Sequence, residues 1–145
     1  CVYGFPQPVS PLFTLGPSAA ADPAIEILGR YSQGGEAALA LRTRPDGIDA
    51  WSGAGPLPAQ VLRQLAVRSG VHIYVDTGDP VYVNRGLFGL FSHQGGQRTL
   101  SFPHDVVLHD VYDTRILKSE DGLICLDVPS DTMQLFQVTC LEDTP

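Results

Sequence analysis

Four aspartates stand in two pairs with a spacing of three, Asp76 with Asp79 and Asp110 with Asp113. Two carboxylates held roughly 5 to 9 Å apart can serve as the acid and base, or acid and nucleophile, of glycoside hydrolysis. Both pairs sit in turn-like sequence, Asp76-Thr77-Gly78-Asp79-Pro80 and Asp110-Val111-Tyr112-Asp113-Thr114. Aspartate is common in turns because its side chain accepts from the backbone a residue or two along. That reading outweighs catalysis. Asp76 to Asp79 also supplies oxygens that calcium favours, but without the full loop pattern.

His72, His93, His104 and His109 are too scattered for a local metal motif. Alternation would place Asp105 and His109 on one face of a strand, and two ligands fall short of the usual site. Cys1, Cys125 and Cys140 match neither a zinc knuckle nor a disulfide scaffold. Cys125, inside the alternating run Leu123 to Val128, reads as a small buried hydrophobe. Gly53-Ala54-Gly55 has neither the lysine nor the spacing of a phosphate-cradling loop and reads as a turn. Trp51, Tyr74, Tyr82, Phe88 and Phe91 would form a sugar-stacking platform only if two or more were exposed and coplanar. No catalytic, cofactor-binding or metal-binding residue is assigned, no cofactor is implied, and enzymatic activity is left open.

Sixteen acidic and nine basic residues give a formal charge of −7, and Lys118 is the lone lysine. No basic cluster could neutralise successive phosphates, which excludes nucleic acid as the expected partner and disfavours an anionic membrane. No apolar run approaches a membrane span. Residues 1–15 lack the charge and apolar core of a signal peptide. The opening Cys1-Val2-Tyr3-Gly4-Phe5-Pro6 reads as the middle of a longer chain, so a fragment is expected.

The elements that would position these residues follow from periodicity. Residues 1–23 are rich in proline and glycine and predict an extended segment. Asp22-Pro23 predicts the cap of a short helix over 24–28, stopped by Gly29. Residues 36–43 and 48–52 predict a hairpin around Arg44-Pro45-Asp46-Gly47. The stripe Val61, Leu62, Leu65 and Ala66 predicts a helix over 58–69, ended by Gly70, with Leu65 at its centre. The period then changes to two: Val71, Ile73 and Val75 face one way. Strand, glycine-rich break, helix and strand together predict a β-α-β unit. Beyond Asp105 only short strands are predicted, over 106–108, 114–117, 123–128 and 132–138, in an antiparallel meander.

Several phrases resemble a known family. They are Leu57-Pro58-Ala59-Gln60-Val61-Leu62-Arg63-Gln64-Leu65-Ala66, then Ser69-Gly70-Val71-His72-Ile73-Tyr74, Asp79-Pro80-Val81-Tyr82-Val83-Asn84 and Gly96-Gln97-Arg98-Thr99-Leu100-Ser101-Phe102-Pro103. Together they resemble the end of the amidotransferase-like, or trimerisation, domain of large beta-galactosidase-like glycoside hydrolases, with the small β-domain that follows. Pro11-Leu12-Phe13, Ile27-Leu28-Gly29-Arg30-Tyr31 and Asp110-Val111-Tyr112-Asp113-Thr114 fit the same likeness. It implies that sugar hydrolysis belongs to a separate barrel and that this part helps assembly and shapes the substrate cleft. No cysteine here sits in a nucleophile elbow.

The expected fold class is therefore α/β followed by all-β. The end of a Rossmann-like or flavodoxin-like layer would occupy residues 1–90, and a small antiparallel β-domain of sandwich type residues 91–145. The expected function is a non-catalytic accessory and assembly region of a glycoside-hydrolase-like protein. The alternatives are a carbohydrate-binding module and, behind it, a carboxylate-based hydrolase. Expected partners are the remainder of a larger parent chain, a homo-oligomer formed through that parent, and carbohydrate.

Overall fold

A hairpin is the first element that the chain pattern and the structure share. The computed structural model describes Tyr3–Gly4 and Ser10–Leu141 and divides into two compact units, Cys1–Val71 and His72–Pro145. In the first unit, β2 (Ala37–Arg44) and β3 (Gly47–Ser52) pair antiparallel from Arg44↔Gly47 back to Leu39↔Ser52. β1 (Ile25–Arg30) lies along the other edge of β2, so the sheet runs β1-β2-β3. Ala37 to Leu41 are buried at every position, so this central strand is covered on both faces.

The helix expected over 24–28 is a strand instead. A short apolar run fits either period, and the ladder offered by β2 decides between them. A one-turn helix, α1 (Pro17–Ala20), lies earlier. α2 (Ala59–Arg68) stands where the stripe places it. The N–H groups of Gly70 and Val71 donate to the carbonyls of Val67 and Ala66, both at 3.0 Å, which closes its last turn. Arg68 reaches back to Glu26 on β1 at 2.6 Å. Leu65 is only half-buried, and Leu62 and Val67 are exposed.

No α/β layer follows. Every strand pairing among the described residues is antiparallel, and Val71 to Val75 contribute a single isolated bridge, Val75↔Leu100. The expected Rossmann-like or flavodoxin-like layer, and the amidotransferase-like region with it, is thus corrected to antiparallel sheets with two short helices. A change of period after Gly70 announces a new element but not its partner, and a parallel partner was the wrong inference. The α/β layer that the glycoside-hydrolase likeness implied is therefore absent from the described residues.

The second unit holds β4 (Val81–Asn84), β5 (Leu87–Ser92), β6 (Gly96–Ser101), β7 (Val106–Asp110), β8 (Ile116–Lys118), β9 (Leu123–Val128) and β10 (Thr132–Cys140). β5 pairs with β10, β6 with β9 and β7 with β8. This is one long ribbon, running out along β5, β6 and β7 and back along β8, β9 and β10. It rolls up because β10 also pairs with β7. The result is a five-stranded sheet, β4-β5-β10-β7-β8, and a two-stranded sheet, β6-β9. The expected meander is therefore a Greek-key roll. Position 90 lies within β5.

Strict alternation supplies the core. Ile124, Leu126 and Val128 of β9 point inward while Leu123, Cys125 and Asp127 point out. Phe88 and Leu90, Val106 and Leu108, and Phe136 come from the facing sheet, and Leu100, Phe102 and Val75 complete one cluster. Phe102 meets Tyr74 and Phe88 edge-on and those two meet at a tilt, with centroids 5.3 to 5.9 Å apart. At the corner of the roll Gly122 has φ +73°, and a Cβ there would lie 2.4 Å from the carbonyl oxygen of Phe102. Only glycine fits that position.

Candidate functional site

An arginine on a core-facing position needs a partner. β6 alternates so that Arg98, Leu100 and Phe102 fall on one side, and Arg98 is 9% exposed. Its Nε donates to Asp79 Oδ2 at 2.5 Å, its Nη2 to the Ser92 hydroxyl at 2.9 Å and its Nη1 to the Gln97 carbonyl at 3.1 Å. Thr77 donates to the same Asp79 oxygen. Ser92, fully buried on β5, also accepts from the Gly95 N–H at 3.1 Å. The hydrogen bond from Arg98 holds the Asp79 carboxyl below the usual range, against the opposing pull of burial, with Thr77 and Ser92 helping. The result is a closed, satisfied network. The carboxylate and the guanidinium are each other's principal partners, and both are nearly buried.

A second carboxylate group lies where β7 meets β8. Burial pushes Asp110 up, but the Tyr112 N–H, at 3.0 Å, and the Arg115 guanidinium, at 2.9 Å, outweigh it and leave it lowered. Arg115 also binds Gln134 and lies over the Phe136 ring, 5.4 Å from its centroid. Asp113 accepts from the Thr114 N–H at 2.7 Å. Asp105 accepts from the Gly122 N–H and the Ser119 hydroxyl, both at 2.7 Å, and these bonds hold its carboxyl low. Asp105 thereby pins the corner between the β6–β7 and β8–β9 connections.

The other sequence candidates do not converge. Asp76 is exposed. Among the histidines, His72 contacts the Ser101 carbonyl at 2.7 Å, His93 pairs with Asp131 at the surface, and His104 and His109 are exposed. No group of three metal-binding side chains occurs among the described residues. Asp105 pins a corner and His109 is exposed, so their expected shared face gathers no site.

Cys125, expected inside, is exposed: alternation puts it on the outer face, with its sulfur 3.7 Å from the Thr99 hydroxyl. Cys125 and Cys140 are both free thiols, and Cys1 lies outside the described residues. Gly53 allows a close approach rather than a phosphate cradle, since a Cβ there would meet the Phe13 carbonyl at 2.0 Å. Of the five aromatic candidates only Tyr82 is exposed, at 62%. Phe88 is fully buried, and Trp51, Tyr74 and Phe91 are half-buried, so these five do not meet the condition for a sugar-stacking platform.

Sequence reading overlooked Arg98 and Arg115 as organising residues. A signal was present for the first: an arginine two residues before Leu100 in a strictly alternating strand must bury its charge, and only an acid or carbonyl can receive it. No helix of the described chain is long and apolar enough to cross a membrane. No family model, curated protein or solved structure matches this chain.

Proposed function

We propose that this chain is a non-catalytic accessory and assembly region that works as part of a larger protein. The observation that carries the reading is the state of the carboxylates. Asp79, Asp105 and Asp110 are each bound by donors of their own fold, and each is held low, the reverse of what a catalytic acid needs at neutral pH. Meanwhile apolar side chains stand uncovered on the five-stranded sheet, among them Tyr82, Leu87, Ile116 and Met133. The expected jobs follow from that surface: contact with another protein segment, and stabilisation of the assembly it joins.

A hydrolysis assay checks the catalytic half of this reading. The purified chain is expected to leave aryl glycosides and aryl esters intact at the background rate. Asp79→Asn and Asp110→Asn should change nothing in that assay. Turnover lost on Asp110→Asn, with the fold retained, would make the carboxylate hydrolase the correct reading.

A further inference from the structure

Edge strands expose backbone groups that another strand can take, and proteins usually guard them with charge, brevity or a local cover. Two edges here are guarded. β8 is three residues long and ends on Lys118. On β9 the Leu123 N–H and C=O are closed by Glu120, and Asp127 stands exposed further along.

β4 is also short, at four residues, but it carries no charged side chain and stands at the open edge of its sheet. Val81-Tyr82-Val83-Asn84 is uncharged, and Tyr82 and Val83 are 62% and 49% exposed. The Phe91 N–H donates to the Pro80 carbonyl at 3.1 Å, which sets the phase of the β4–β5 ladder. Pro80, Tyr82 and Asn84 therefore bond towards β5, and the N–H and C=O of Val81 and Val83 point outward. Beside this edge lies an open hollow of about 500 Å³, lined by Val81, Tyr82, Val83, Asn84, Leu87 and Leu135.

We infer that the β4 edge accepts an extended segment of a partner protein as a sixth strand. The segment has an apolar core and basic flanks. This rests on the accessory reading above and names its contact surface. Main-chain hydrogen bonds to Val81 and Val83 would hold the strand, and an alternate apolar side chain would enter the hollow. The charge distribution selects the flanks. Residues 1–71 balance five acidic against five basic residues, whereas residues 72–145 hold eleven acidic against four basic. The same imbalance argues against a second copy, because like-charged units repel.

The probe is a labelled nonapeptide, Lys-Lys-Val-Thr-Val-Thr-Val-Lys-Lys, titrated against the whole chain by fluorescence anisotropy and by amide chemical shifts. Binding should move the Val81 and Val83 amides most. N-methylation of the central valine should weaken binding at least tenfold, as should glutamate in place of the four lysines. Val83→Pro removes an outward N–H at a position where edge proline is tolerated, and should do the same. Should that variant fold poorly, the N-methylated peptide gives the same answer on the unaltered chain. Equal binding of the N-methylated peptide, or unmoved Val81 and Val83 amides, would overturn the inference. So would a concentration-dependent dimer that Val83→Lys dissolves, since a second copy would then own the edge. A failed titration with no hydrolysis sinks the strand site alone, whereas hydrolysis lost on Asp110→Asn sinks the accessory reading itself.

Discussion

Phe136→Ala is expected to destabilise the second unit by about 3–5 kcal/mol, the range for emptying a large aromatic site in a packed core. Phe136 is fully buried on β10, the strand that joins both halves of the rolled ribbon. It stands opposite Phe88 on β5 and Asp110 on β7, and the Arg115 guanidinium lies over its ring. Truncation therefore removes apolar contact from the core and the face on which Arg115 rests. A domain of this size has only about 5–15 kcal/mol in hand, so much of its stability would go. In urea, where the slope is about 1–3 kcal/mol per molar, the midpoint should fall by roughly 2 M. Trp51 belongs to the first unit, so the transition is best followed by amide exchange along β10. Leu65→Ala, which the helix stripe alone would rank as most damaging, removes a half-buried side chain and should cost well under half as much. An unchanged midpoint for Phe136→Ala would mean that β10 does not hold the roll together.

The second large effect belongs to the buried ion pair. Asp79→Ala should cost about 3–5 kcal/mol, because it strands a guanidinium that has left water. The side chains of Asp79 and Arg98 are 10% and 9% exposed, so solvent can do little to replace the lost partner. The double variant Asp79→Leu with Arg98→Met should recover most of that loss. Replacing both members of a buried pair by apolar groups removes the desolvation cost along with the attraction. Thr77 and Ser92 would then lose their shared acceptor and donor, which keeps the recovery incomplete. A double-mutant cycle measures the coupling. A cost below about 1 kcal/mol for Asp79→Ala would put the pair in the screened regime of surface ion pairs.

Local chemistry was legible wherever it was decided locally. The Pro45-Asp46 turn set the β2–β3 register, and the stripe through Leu65 with Gly70 beyond it marked α2. Alternation over 123–128 marked a strand, although its phase put Cys125 outside. What failed was partner choice. β5 pairs with β10, more than forty residues away, and the period of neither strand names the other. Ile25–Arg30 illustrates the same limit, because its short apolar run becomes a strand through the ladder with β2. For the carboxylates, turn composition correctly suggested that Asp110 and Asp113 would bind their own backbone. It said nothing of Arg98, which reaches Asp79 from nineteen residues on, or of Gly122, which ties Asp105 across the roll.

The carboxylate titration tests the account most directly. In the folded chain Asp79, Asp105 and Asp110 should all titrate below the ordinary aspartate value of about 3.9. A folded pKa that is depressed contributes stability at pH values above the unfolded pKa, and that contribution is lost as the pH falls through the folded pKa. Near neutrality the second unit should therefore keep the full contribution of these three groups, and it should lose that contribution as the pH falls through the ordinary aspartate value towards their lowered folded values. Carbonyl-carbon chemical shifts of the three side chains, followed by NMR from pH 7 down to acid unfolding, read this residue by residue. The account predicts three low titrations, with Asp79 and Asp110 protonating together with the loss of their arginine contacts. Any one of the three titrating near pH 6, in a chain that is still folded, would reveal a carboxyl poised for acid–base chemistry and contradict the non-catalytic reading.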